Sequence, residues 1–283
     1  MLSTIIAVIL RIFSNPVANM FQKKLSSSAL FTNFYSYLFM SIACIPFVFN
    51  VNWTSFSPEF WIYVFTAGFL CSAGTACSIK AIQIGELSVL GPINSYKSVI
   101  GLIIAFLFLK EIPSVTGIIG MFLIIYGSRF IFDASNEGFS ISVFKRKDIQ
   151  LRFASIIMTG IEAVILKKII LLSSVQVSFY MWCFMGCLYS LIFILVSKHK
   201  FVPILKKQIP HYAIICLGLA TMQLSTNYVF ERMNVGYALA FFQLSAIVTL
   251  IFGVKFFSEK NFKRKLTGSL IMIFGSILII LFN

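Results

Sequence analysis

The chain has 283 residues, of which 59% are hydrophobic and only 11% charged, with a mean hydropathy of +0.95 and a formal charge of +14 at pH 7. Soluble globular domains carry about 25% charged residues, so the composition excludes one and points to a polytopic membrane protein. The basic residues are spread over short loops with no soluble basic face, which argues against nucleic acid and for anionic lipid headgroups as their partners.

Lipid offers no hydrogen-bond partners, and the apolar stretches run for about 20 residues without the two-residue alternation of a barrel strand. They read as ten helices, giving an all-α integral membrane protein with predicted spans at 2–22, 30–50, 59–79, 87–109, 114–132, 152–172, 175–197, 212–230, 236–257 and 267–282.

The first span, within "MLSTIIAVILRIFSNPVANMFQ", has no basic region ahead of its apolar run and no small-residue cleavage site behind it, so it reads as a retained helix. Arg11, Ser14, Asn15, Ala18, Asn19 and Gln22 form one stripe on it, and Pro16 leaves the carbonyl of Ile12 without its usual partner. Phe34, Tyr35 and Tyr37 lie in the second span, and Trp53 and Trp61 flank the loop after it as an interfacial belt. The third span adds Ser72, Thr75 and Ser78.

The fourth, "GPINSYKSVIGLIIAFLFLKE", carries a lysine near its middle. At 100° per residue Gly91, Asn94, Ser98, Gly101 and Ala105 fall within about 80° of one another, with Lys97 at the stripe's edge. The fifth and tenth spans hold Gly117, Gly120, Gly127, Gly268 and Gly275 but few polar side chains, and read as packing elements. Between them come Ser155, Thr159 and Glu162 on the sixth span, Tyr180 and Trp182 on the seventh, Gln223, Thr226 and Asn227 on the eighth, and Gln243, Ala246, Thr249 and Gly253 on the ninth.

A charge at the centre of a membrane helix costs about 2.5 to 3.5 kcal/mol, so Arg11, Lys97 and Glu162 should face a partner or a water-filled cavity. Two alternatives stand beside cavity lining: a Lys97–Glu162 pair that only locks helices together, and long side chains that snorkel. The candidate substrate-binding set is Arg11, Asn15, Asn19, Thr75, Asn94, Lys97, Ser98, Thr159, Glu162, Gln223, Asn227 and Gln243, with Glu162 also the candidate coupling carboxylate. Two cations against one acid favour an anionic or zwitterionic metabolite. The six cysteines fit neither a metal site nor a disulfide framework, and no cofactor is indicated.

The second half of the chain matches the first. "KEIPSVTGIIGMFLIIYGS" from Lys110 aligns with "SEKNFKRKLTGSLIMIFGS" from Ser258, pairing Glu111, Gly120, Gly127 and Ser128 with Glu259, Gly268, Gly275 and Ser276 at a constant offset of 148. Gly85 likewise matches Gly236, and Lys23-Lys24 matches Lys167-Lys168, at slightly different offsets. The expected units are 1–132 and 152–283, joined by a loop at 133–151. Five helices per unit is an odd number, so the units would be inverted relative to each other, as in secondary transporters.

The duplicated layout, together with "AFLFLKEIPSVTGIIGMFLIIYG" and its second copy "GVKFFSEKNFKRKLTGSLIMIFG", resembles the EamA-type transporters of the drug/metabolite transporter superfamily over nearly the whole chain. One departure is that the family commonly has a proline midway along the fourth and ninth helices, where this chain reads "NSYKSVIG" and "FQLSAIVTLIFG". The resemblance implies export or exchange of amino acids, other small metabolites or drugs through a cavity lined by the first four helices of each half.

The expected function is therefore a secondary transporter in the cell (inner) membrane, monomeric or homodimeric, acting on a small-molecule substrate. A flippase for a lipid or lipid-linked phosphate carrier is the alternative. Catalysis is not expected, since the two histidines, His199 and His211, lie in one loop and acids are few; nor is an ATP-binding loop present. Seventeen of the 23 Lys and Arg, among them Lys23, Lys265 and Arg152 at the edge of the sixth span, are counted with the odd-numbered loops, which by charge bias sets both termini outside, whereas the family resemblance sets them inside.

Overall fold

A computed structural model of the protein describes residues 2–25, 27–104, 114–133, 141–198 and 201–282. The end of the fourth predicted span with Ala105, Lys110 and Glu111, and the loop residue His199, lie outside these described residues.

The described residues form helices and short turns. In chain order the helices are α1 (Leu2–Lys24), α2 (Ala29–Val48), α3 (Pro58–Ile84), α4 (Leu87–Leu90), α5 (Tyr96–Ile104), α6 (Val115–Asp133), α7 (Lys147–Leu172), α8 (Val175–Val196), α9 (Ile209–Arg232), α10 (Val235–Phe242), α11 (Ser245–Phe257) and α12 (Phe262–Phe282). Among the described residues, seven helical stretches are long and apolar enough to cross a membrane.

Their starts follow ordinary capping chemistry. Ser57 accepts a hydrogen bond from the Phe60 amide ahead of Pro58 at the first turn of α3, Ser174 accepts from Val177 at α8, and Asn234 accepts from Gly236 at α10. The outward faces carry exposed Ile5, Ile9, Phe13, Phe122 and Phe274, the side chains a lipid environment accepts.

Both spans expected as single helices in the middle of each half are broken. At the first break α4 ends at Leu90 and a 3-10 turn, Pro92–Ser95, precedes α5, because Pro92 has no amide to donate and its ring crowds the preceding turn. The second break, at Gln243 and Leu244, needs no proline. There the Gln243 amide is shared between the carbonyls of Leu239 and Ala240, and Leu244, Ala246 and Ile247 bond three residues back rather than four. The two breaks touch, since Gln243 Nε2 donates to the carbonyl of Asn94 at 3.3 Å.

Two helices begin five residues earlier than expected. Here α7 starts at Lys147 rather than 152, and α12 at Phe262 rather than 267, which draws Arg152 and Lys265 from loops into helices.

The most extensive packing joins α1 with α9, α3 with α7, α2 with α8, and α6 with α12. In the last pair a Cβ on Gly120 would come within 2.5 Å of the Gly275 carbonyl oxygen, and one on Gly127 within 2.8 Å of the Gly268 carbonyl. Contacts that descend one chain while ascending the other make α6 and α12 antiparallel, and only glycine allows so close an approach.

Lys23, counted as a loop cation from the sequence, is tied down where α1 ends. Its Nζ donates to the Gly85 carbonyl at 2.7 Å and pairs with Glu259 Oε1 at 2.9 Å. Glu259 in turn accepts from the amides of Leu87 and Ser88 at 2.8 and 2.7 Å, capping α4. Lys265 pairs with Glu86 and donates to Ser88 Oγ at 2.8 Å in the same cluster. Lys167 of α7, the counterpart of Lys23, donates to the Phe230 and Met233 carbonyls where α9 ends.

Candidate functional site

Helices α1, α3, α5, α7, α8, α9 and α10 surround a cavity of about 150 Å³. Nine residues of the candidate set line it: Arg11, Asn15 and Asn19 from α1, Thr75 from α3, Asn94 from the Pro92–Ser95 turn, Lys97 from the first turn of α5, Thr159 and Glu162 from α7, and Gln223 from α9.

Three others are not among its lining residues. Ser98 shares a 2.6 Å hydrogen bond with Ser276 of α12, because the stripe that carries Asn94 turns towards that helix one turn later. Asn227 donates to the Ser178 hydroxyl at 2.9 Å and the Val175 carbonyl, and its Oδ1 accepts from Gln223 at 3.0 Å, so it holds Gln223 from behind. Gln243 is spent on the Asn94 carbonyl.

Arg11 is fixed on two sides. Its Nε donates to Thr226 Oγ1 at 3.0 Å and its guanidinium lies 4.9 Å from the centroid of the Phe242 ring, a cation–π contact. Its Nη1 is buried without a hydrogen-bond partner, as is Oε1 of Glu162. Buried polar atoms are rarely left so, and an orphaned donor and an orphaned acceptor on the wall of one cavity are a place for a ligand or ordered water. Glu162 is 8% exposed and sits between this cavity and a much smaller space bounded by Gly68, Ser178 and Met181.

Lys97 and Glu162 form neither an ion pair nor a hydrogen bond with each other among the described residues. The helix-locking pair considered from the sequence is therefore absent, and both groups remain available to the cavity.

The lining also includes Arg152, Phe242 and Trp182, none of which is in the candidate set. Arg152 was assigned to a loop because the sixth span was expected to start there. It is buried, with Nε donating to the Leu90 carbonyl at 3.0 Å and Nη1 to Ser78 Oγ at 2.7 Å. The signal was present: at 100° per residue Arg152 falls about 60° from Ser155 and about 20° from Thr159, so the polar stripe simply extends one turn upstream. Trp182 donates its indole N–H to Cys71 Sγ at 2.9 Å, and Tyr37 packs across it with ring centroids 4.8 Å apart, so an aromatic wall backs Thr75.

The profile of the EamA-like transporter family matches residues 2–133 and 147–281. The chain belongs to the EamA-like transporter family, and is thus a multi-pass membrane transporter of the drug/metabolite transporter superfamily rather than a member of an enzyme family. No curated protein matches it. Among solved structures, one titled "Crystal structure of protein" is similar with a TM-score of 0.68 at 10% identity, over 99% of this chain and 96% of that one, a likeness of fold alone.

Proposed function

We propose that this protein is a secondary transporter that exports or exchanges a small polar metabolite, anionic or zwitterionic, by alternating access around the cavity described above. In this reading ten helices cross the cell (inner) membrane as two inverted five-helix units, residues 1–132 and 152–283, joined by 133–151.

The observation that carries the reading is the cavity itself. It lies between helices of both halves, is rimmed by two broken helices that meet at Asn94 and Gln243, and presents the unpartnered atoms of Arg11 and Glu162. Discontinuous helices at the interface of repeats are where transporters of this architecture hold substrate.

Inversion is supported by the exchange of equivalent contacts. Gly120 and Gly268 are matched positions, as are Gly127 and Gly275, and Gly120 meets Gly275 while Gly127 meets Gly268. The pairing of α1 with α9 has its counterpart in α7 with α3, and Lys23 and Lys167 each close the end of a helix in their own half. A two-fold relation between the halves produces such swaps.

Glu162 serves as the coupling carboxylate in this mechanism. It is buried, has an orphaned oxygen and can exchange a proton or a cationic group for the charge of Lys97 as the cavity changes sides.

Transport of radiolabelled water-soluble metabolites into proteoliposomes, with a parallel assay of labelled-lipid scrambling, tests the reading. Lys97→Ala is expected to reduce transport at least about tenfold, a loss of roughly 1.4 kcal/mol of interaction, while leaving helicity and monodispersity unchanged because Lys97 makes no ion pair with a described residue. Unchanged transport in the folded variant would make Lys97 structural, and lipid scrambling without metabolite uptake would replace the metabolite by a lipid.

A further inference from the structure

Three cations and one acid line the cavity, and two of the cations come from corresponding helices of the two halves. Arg11 comes from the first helix of one half and Arg152 from the first helix of the other. Arg11 is tethered to Thr226 of α9 and Arg152 to Ser78 of α3.

Their heights differ. Gly85 lies beside both Lys23, at the end of α1, and Asp148, at the start of α7, so these two helix ends share one face of the protein. Arg11 is 13 residues back from the end of α1 and Arg152 five residues into α7, which at 1.5 Å per residue separates them by about 12 Å along the helix axes. Lys97 lines the same cavity as both arginines and Glu162.

We propose that the cavity is built for a small organic anion with two anionic groups, one taken by Arg11 and the other by Arg152, with Lys97 between them. The proposal rests on the transporter reading and narrows its substrate class.

Charge complementarity favours the dianion. With Glu162 ionised the wall carries two uncompensated positive charges, and a zwitterion would leave both while a monoanion would leave one. Geometry favours it as well. Each arginine is oriented by its Nε, which is bonded to Thr226 or to the Leu90 carbonyl, and Arg11 keeps a buried Nη1 for which the protein supplies no acceptor. A carboxylate or phosphate supplies an acceptor with matching planar or forked geometry.

The test is binding to the purified transporter by calorimetry, with succinate and 3-phosphonopropionate as ligands with two anionic groups, butyrate as the monoanion and alanine as the zwitterion. Succinate or 3-phosphonopropionate is expected to bind at least tenfold more tightly than butyrate or alanine, and the preferred one identifies the second anionic group. Arg11→Gln is expected to abolish that preference by weakening the dianion tenfold or more.

Arg152→Lys keeps a cation where the loss of the Leu90 and Ser78 bonds would otherwise disturb folding, and is expected to weaken the dianion alone. Butyrate or alanine binding as tightly as the dianions to wild-type protein overturns the proposal and leaves the transporter reading intact. An Arg11→Gln variant that retains the preference also overturns it. Absence of binding of all four overturns the dianion proposal, and uptake of other water-soluble metabolites into proteoliposomes tests the transporter reading separately.

Discussion

Glu259→Ala is expected to lower the stability of the folded protein by about 3 to 5 kcal/mol, the cost of breaking a buried pair by removing one member. The carboxylate side chain is 6% exposed and serves three donors at once: Lys23 Nζ and the amides of Leu87 and Ser88. Its removal strands a largely buried lysine and uncovers the start of α4, beside the break that positions Asn94. The thermal unfolding midpoint in detergent measures the effect. A Lys23→Met/Glu259→Leu double variant should recover part of the loss, because it leaves no charge behind.

The same site fixes the sign of a pH dependence. Burial alone would raise the carboxyl's pKa, but hydrogen bonds from Ser88 and the charge of Lys23 outweigh it and hold the group below its ordinary value. A depressed folded-state pKa means that the stabilisation is complete above the unfolded value of about 4.3 and is lost as pH falls through the folded value. The wild-type midpoint should therefore drop more steeply below about pH 4.3 than that of Glu259→Ala. Parallel curves for the two proteins would show that this carboxylate does not contribute in that range.

Gly120→Leu and Gly268→Leu are expected to be comparably damaging, each costing about 1 to 3 kcal/mol or more through overpacking. A Cβ at Gly120 would stand 2.5 Å from the Gly275 carbonyl oxygen, and one at Gly268 would stand 2.6 Å from the Gly127 carbonyl. Backbone cannot step aside as a flexible side chain can, so α6 and α12 would have to separate along their length. Yield of monodisperse protein and its unfolding midpoint report the outcome. Tolerance of either leucine would mean that the two helices do not pack through these glycines, and a large inequality between the two would argue against matched roles in two related halves.

Much of the site was legible before any tertiary structure. The stripe of Arg11, Asn15 and Asn19 follows from helical geometry alone, and the energetic cost of a mid-membrane charge singles out Lys97 and Glu162. Ser98 was assigned to the same face as Asn94 by an ideal 100° rotation, but the chain between them passes from a 3-10 turn into a new helix, and Ser98 meets Ser276 instead. Arg152 and Lys23 were read as loop cations because a basic residue at the edge of an apolar run ordinarily meets lipid headgroups. Their partners, Ser78 and Glu259, lie 74 and 236 residues away along the chain.

Sequence by itself determined that this chain is helical, lives in a membrane and carries polar stripes on particular helix faces, because each of these depends on composition and on a rotation per residue that every helix shares. Tertiary structure alone decided which stripes meet at a cavity and which close against another helix, that the second break forms without a proline, and that Lys97 and Glu162 form no direct ion pair among the described residues. Those outcomes depend on how α1 meets α9 and α3 meets α7, and pairing between helices so distant in the chain leaves no mark in the local periodicity of either.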